Sequence, residues 1–506
     1  MGKEKKLREE VKSLRHQLKQ SQAEVAILRL KLDALARQMF GKRSEQLNPD
    51  QLEMLLSGMQ GEEQKPAEDS EADEEPAPNP KRSRNGRHAI RTPEDLEVVE
   101  EIVLPDCVKA DPDQWKEISR EENKRLDYQP GKFFWRKTIR PKFVRRDNRA
   151  LPPVVAPAAN ELSLGGKDSA GLLAHLLVSR CCDHLPYYRQ QQLYWRQNSV
   201  WISRQQMVEW TEQSVTQLSR VVGVMRKALR QQPYLQVDET KVRYQDRERA
   251  GPCPHGWLWV GLDPGRSVVF HWDQSRGSGA LEKLIGKDYR GLLGVDGYGV
   301  YRTYARPREE VELIGCWAHA RRKFVGAKEE APRVAGWVLN QIAWLYRWEK
   351  SRDGEPLPEA AREWVRASQS RMIVERLGKA LRLLLNRYRP KSLMAQAIEY
   401  AINQWESLRG FLNHSNAELS NNLVENAIRP SALGRKNWLF FGHHEAGHRS
   451  AILYSLTETC RMVGINPYDY LKDILTRLPS TADSELEALT PIKWHEARTA
   501  LVRQAA

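Results

Sequence analysis

Leu7, Val11, Leu14, Leu18, Val25, Leu28, Leu32, Leu35 and Met39 recur in alternating steps of four and three, with Ser21 at the one polar position of that register. Charged residues around this seam, among them Lys5, Arg8, Glu9, Glu10, Lys12 and Arg15, supply a solvated outer face. The pattern predicts a coiled-coil helix over residues 1–56 that joins two or more copies of the chain. A long helix lying on its own domain is the alternative. Residues 57–89 hold an acidic, proline-bearing run that turns basic at its end and offers almost nothing to bury, which predicts a disordered charged linker. Over 90–150 apolar and polar positions alternate, as in a small β-rich module. Its last strand interleaves Arg136, Arg140 and Lys142 with aromatic residues, a pattern that suits either a phosphate-tracking face or an ordinary solvated strand.

The period then lengthens. After a proline-rich break, residues 151–231 carry two helical patterns separated near Asp183 and a third helix with Ser203 as its N-cap, which suggests helix-turn-helix geometry. Arg204 and Gln205, in the first turn of that helix, are residue types that read base edges, although a helical platform that only packs is an equal reading. After Pro233 the period becomes two. Strands are predicted at Tyr234–Val242, Trp257–Leu262 and Ser267–Trp272, then a helix at Ala280–Ile285, then strands at Leu292–Asp296 and Val311–Trp317. Three antiparallel strands, a helix and crossover strands make an α/β class with ribonuclease H-like order. The predicted core occupies 232–326, a helical insertion bearing Trp337, Trp344, Trp348 and Trp364 occupies 327–415, the core is completed over 416–480, and 481–506 is a tail.

Charge adds a partner to this picture. The 80 Lys and Arg against 66 Asp and Glu leave a net charge of +14 over 506 residues, which suits a polyanion such as nucleic acid. No stretch approaches the ~18 apolar residues of a membrane span, and the N-terminus lacks a signal peptide's apolar segment. The six cysteines form no C-x-x-C pair. Together these predict a reducing, cytoplasmic setting without membrane partners.

Against that basic background, Asp238 falls on the first, central strand and Asp296 just past the fourth, its neighbour. A carboxylate beside apolar core residues needs a compensating partner or cation. Two divalent ions would supply it and would suit phosphodiester displacement, given a further carboxylate. The candidate is Glu425, on a helix that Ser420 or Asn421 caps and that Leu423, Ala427 and Ile428 pack inward. Arg429, one turn later, is placed to pair with Glu425 or with a phosphate.

Four segments, VDET (Val237–Thr240), VDGY (Val295–Tyr298), CWAHARRKF (Cys316–Phe324) and SNNLVENAIRP (Ser420–Pro430), resemble the catalytic signature of the insertion sequence 66 family of bacterial DDE transposases. FGKRSEQL (Phe40–Leu47), LLAHLLVSRCCDHLPYYRQ (Leu172–Gln190) and the stretch Leu439–Leu471 follow the family pattern in the same order, so the resemblance spans nearly the whole chain. It implies a recombinase that cleaves at element ends and transfers the freed 3′-hydroxyl into target DNA. Asp238, Asp296 and Glu425 would hold two Mg²⁺ or Mn²⁺ ions. The implied partners are double-stranded DNA, as terminal inverted repeats and target, a homodimer or higher oligomer through the coiled coil, and accessory proteins of the same element. A relative that binds DNA without catalysis is the alternative. The family's structural zinc module matches here a stretch with the single Cys107, so that zinc is not expected.

His319, Arg322 and Lys323 follow the fifth strand at the metal edge, and Arg435 and Lys436 lie beyond Glu425; these are candidates for gripping DNA, with His319 also a candidate for proton transfer. Finally, HEAGH (His444–His448) spells the H-E-x-x-H of zinc metallopeptidases. Gly447 inside that pattern and the preceding turn residues favour a loop entering a helix from Ser450 to Met462 that packs on the core.

Overall fold

The computed structural model describes residues 131–134, 142–143, 154–155, 168–246, 248, 251–351 and 354–505. The heptad helix, the charged linker, and Arg136 and Arg140 lie outside the described residues. Lys142–Phe143 pairs antiparallel with Val154–Val155, so the proline-rich break supplies a short strand. Phe133 sets its ring edge-on to Tyr194 at 5.1 Å, tying this segment to the helices that follow.

Helices α1 (Ala170–Cys181), α2 (Tyr187–Asn198) and α3 (Arg204–Leu229) come next. Ser169 and Ser203 cap α1 and α3, accepting the backbone N–H of Leu172 at 3.2 Å and of Gln206 at 3.1 Å. α3 is longer than a recognition helix would require. Met207, Trp210, Leu218, Val222, Met225 and Leu229 keep a buried stripe along its 26 residues, and its second half packs on the sheet.

The sheet contains β1 (Tyr234–Arg243), β2 (His255–Asp263), β3 (Ser267–Asp273), β4 (Gly291–Val295) and β5 (Val311–Gly315) in the order β3-β2-β1-β4-β5. The first three are antiparallel neighbours, while β4 joins β1 in parallel and β5 joins β4 in parallel. Helix α4 (Ser278–Ile285) makes the first crossover and α5 (Gly299–Ala305) the second. Each predicted strand is present, with no end shifted by more than two residues.

Beyond β5 the chain is helical: α6 (Trp317–Gly326), α7 (Pro332–Trp348), α8 (Glu359–Val365), a π-helical turn (Arg366–Ser370), α9 (Arg371–Leu384), α10 (Leu393–Asn403) and α11 (Trp405–Gly410). They share a core with Tyr234, Leu292 and Ile314 on one face of the sheet. Helices α12 (Asn422–Trp438), α13 (His444–Met462), α14 (Pro467–Arg477) and α15 (Pro491–Ala505) return to the main body. Here α13 covers β3 and joins α1 and α3 in a second core with Leu235, Val237, Leu293 and Val295. Among the described residues no helix is long and apolar enough to cross a membrane.

Two local expectations need correction. Helix α13 begins at His444 rather than at Ser450, because the His443 ring accepts the Glu445 N–H at 3.4 Å and Gly447 seats against Trp272. On α12 the buried apolar residues are Val424, Ala427 and Ile428, whereas Leu423 is exposed, because the helix is rotated so that the residue before Glu425 faces the sheet.

Candidate active site

Successive side chains alternate between the faces of β1, so Tyr234, Gln236 and Asp238 share one face while Leu235, Val237 and Glu239 share the other. The parallel ladder pairs Tyr234 with Leu292 and Gln236 with Gly294. Continuing that register by two residues sets Asp296, just past the end of β4, level with Asp238 in the middle of β1. Asp296 Oδ1 accepts the Tyr298 N–H at 2.8 Å, which holds the turn from β4 into α5.

Glu425 arrives from the opposite side, in the first turn of α12. Gln236, fully buried, fastens that turn to β1: its side-chain amide donates to the Ser420 carbonyl at 3.0 Å, and its Oε1 accepts the Val424 N–H at 3.2 Å. Asn421 is the N-cap residue, but its side chain does not cap the helix. It donates instead to the Val237 carbonyl at 3.0 Å, while its own N–H points at Cys316 Sγ, 3.2 Å away. Gly294 permits this approach, since a Cβ there would lie 2.9 Å from Tyr234 Oη and 3.3 Å from Asn421 Oδ1.

The three carboxylates meet electrostatically. Burial raises Asp238 well above the usual carboxylate range, and the negative charges of Glu239, Asp296 and Glu425 raise it further, against the hydrogen bond from the Glu239 N–H. Glu239, on the other face, is also raised by burial, but Tyr301 and Arg276 restrain it. Arg276 holds Glu239 Oε1 at 2.7 Å, the Tyr301 hydroxyl donates to Oε2, and the Arg276 guanidinium lies 3.7 Å from the Tyr298 ring centroid. This cluster clamps the turn that carries Asp296. Sequence reasoning did not single out Gln236, Glu239 or Arg276, and it offered Asn421 only as a helix cap. An extra acidic residue beside Asp238 was the one visible signal.

α6 supplies the basic wall. Arg322 Nη2 contacts both oxygens of Glu425, at 2.8 and 2.9 Å. His319 Nδ1 stands 3.6 Å from Glu425 Oε1, and burial together with Arg322 lowers the pKa of that ring. Cys316, at the N-cap of α6, has its thiol pKa raised by burial. Lys323 lies 5.7 Å above the Tyr400 ring. Arg429 and Lys436 sit farther along α12, and Arg435 donates to the Lys241 carbonyl, which ties its guanidinium to β1. Arg204 and Gln205 lie at the start of α3, far in sequence from this cluster; Gln205 donates to Glu209 at 3.0 Å, and both residues line an open cleft beside the exposed Trp201. Lys142 falls in the two-residue strand.

The HEAGH segment is packed rather than convergent. His444 Nε2 contacts Glu445 Oε1 at 2.8 Å, the His448 ring faces His271 at 6.5 Å between centroids, and a Cβ on Gly447 would lie 2.3 Å from the Trp272 ring. Trp438 stacks on Phe441, with ring centroids 4.8 Å apart.

Three family profiles match the chain: Transposase IS66 family over residues 165–449, IS66 C-terminal element over 455–492, and Transposase C of IS166 homeodomain over 27–100. Among curated proteins, the uncharacterized protein y4qI of Sinorhizobium fredii (strain NBRC 101917 / NGR234) is 31% identical over 511 residues, covering 95% of this chain and 91% of the relative. The uncharacterized protein y4jD of the same strain is 31% identical over 396 residues, covering 74% of this chain and 76% of that protein. A third, y4hP, is 26% identical over 519 residues, covering 95% and 91%.

Proposed function

Because the chain belongs to the IS66 family of transposases, we propose that it is a DDE recombinase that hydrolyses a phosphodiester at the element end and joins the freed 3′-hydroxyl to target DNA. The observation that carries the reading is the convergence of Asp238, Asp296 and Glu425 from the middle of β1, the end of β4 and a helix's first turn. The strand order β3-β2-β1-β4-β5, antiparallel then parallel, supports a ribonuclease H-like core interrupted by the helical insertion.

The donor set fits a hard divalent cation. Asp238 is a buried carboxylate whose ionised form is opposed by three neighbouring acids, a charge balance that Mg²⁺ or Mn²⁺ corrects, and all three side chains offer oxygen. Asp238, Asp296 and Glu425 would hold the two ions, which when bound supply charge stabilisation at the attacking and departing oxygens. The chain's own groups do the rest. Gln236 and Asn421 hold α12 against β1, so that Glu425 meets the two aspartates at fixed distance. Arg322 and Lys323 present positive charge beside Glu425 for the DNA backbone, Arg429 and Lys436 continue it along α12, and His319 is placed to hold a proton at Nδ1. Arg204 and Gln205 on α3, and Arg136, Arg140 and Lys142 before it, extend the surface for the element end.

Duplexes carrying the element's inverted repeats, incubated with Mg²⁺ or Mn²⁺, are expected to be cleaved. Asp238→Asn is expected to lose more than the roughly 10²–10³-fold that removal of one neutral stabilising donor costs an enzyme. Undiminished cleavage in that variant would overturn the assignment.

A further inference from the structure

A second donor set shares Glu425 with the aspartates. Cys316 caps α6, His319 follows three residues on, and Glu425 faces both from α12. One ligand atom from each, a sulfur, a ring nitrogen and a carboxylate oxygen, lie within 4.8 Å of one another. An offset of three residues puts Cys316 and His319 on the same side of the first helical turn. The sulfur is fixed by the Asn421 N–H at 3.2 Å, and His319 Nδ1 is buried without a hydrogen-bond partner, 3.6 Å from Glu425 Oε1. A thiolate, an imidazole and a carboxylate make a three-ligand zinc set with the fourth position open, whereas Mg²⁺ takes oxygen donors.

We propose that Cys316, His319 and Glu425 bind one Zn²⁺ ion, and that zinc bound there draws Glu425 away from Asp238 and Asp296 and arrests the reaction. Binding releases the Cys316 thiol proton to solvent and frees Arg322 from the Glu425 oxygen that the metal takes. The binding stands on the ligand geometry, while the arrest rests on the transposase reading above.

Cobalt(II) reports such a site directly. The full chain, stripped of metal by a chelator, is expected to develop a near-ultraviolet thiolate-to-cobalt band and tetrahedral visible bands that saturate at one equivalent and are erased by Zn²⁺. Cys316→Ser removes the thiolate band, and His319→Ala weakens cobalt binding by at least the roughly 10–100-fold that losing an outer-shell partner costs. With six cysteines in the chain, a band that persists unchanged in Cys316→Ser assigns the metal elsewhere and overturns the proposal, as does a parent without any band. Should Cys316→Ser misfold by circular dichroism, His319→Ala decides, and unchanged cobalt affinity there overturns it. In cleavage supported by Mg²⁺, added Zn²⁺ slows the parent and leaves the rate of Cys316→Ser at its zinc-free value; a parent indifferent to zinc overturns the arrest. A thiolate band that Cys316→Ser abolishes, in a parent that cleaves no DNA with Mg²⁺, supports the zinc site and sinks the transposase reading instead.

Discussion

Glu458 lies within α13 with its carboxylate buried beneath α1, and burial pushes its pKa up from 4.5 to about 7 even though Arg461 holds it at 2.7 Å. A carboxyl raised in the folded state favours folding where it stays protonated. Its contribution is therefore full below pH 4.5 and is lost as pH rises through about 7. Glu458→Gln keeps the shape without the charge, so it should flatten the decline of stability between roughly pH 5 and 8 by on the order of 1–3 kcal/mol. Urea denaturation of both proteins at several pH values checks this, and parallel curves would contradict it. Arg461 also explains how α12 tolerates a proline. Pro430 has no N–H for the Asn426 carbonyl four residues back, and Arg461 Nη2 donates to that oxygen at 3.1 Å. The same scale shows what sequence reading reaches. Asp238 and Asp296 were legible because an acid inside an apolar strand contradicts its surroundings. Gln236 was not, since its worth comes from Ser420 and Val424, 184 and 188 residues away in the chain.

At the level of elements, the insertion and α13 each hang on one close packing choice. Arg366 is buried in the π-helical turn, where its guanidinium holds Glu349 at 2.9 and 2.6 Å and donates to the carbonyls of Phe411 and His414. Removing one member of a buried pair strands the other, so Arg366→Met should destabilise the chain by about 3–5 kcal/mol, read as a lower denaturation midpoint. Adding Glu349→Gln should recover part of that loss. Gly447 lets α13 settle on β3, because any Cβ would enter the Trp272 ring. Gly447→Ala should therefore cost about 1–3 kcal/mol by overpacking. An unchanged or higher midpoint would show that Trp272 moves aside freely. Strand positions were readable because their period survives packing on both faces. The start of α13 was not readable, because HEAGH pairs a poor helix former with histidines, and only Trp272, far earlier in the chain, makes the glycine an advantage. The pairing of Glu239 with Arg276 and Tyr301, across 37 and 62 residues, was hidden for the same reason.

For the molecule as a whole, the net charge of +14 is unevenly spent. Arg322 of α6 pairs with Glu425 and further basic residues follow along α12, while Asp238 lies within β1 and Asp296 just past β4 against that trend. On the proposed recombinase reading, one such site acts on one element end at a time, so moving an element requires two sites held together. The expected means of doing so is the heptad pattern from Leu7 to Met39, which lies outside the described residues. A lysine ammonium at a central seam position cannot be buried against a partner helix without losing its hydration. Leu28→Lys should thus sediment as a single protomer at concentrations where the parent is associated, keep its binding to one isolated end, and lose the complex that joins two ends. Salt dependence separates this from a general loss of DNA affinity. The slope of end binding against salt should match that of the parent, because no phosphate-neutralising residue has been removed. A variant that sediments like the parent would show that another surface joins the protomers, and the seam would then be a helix packed on its own chain.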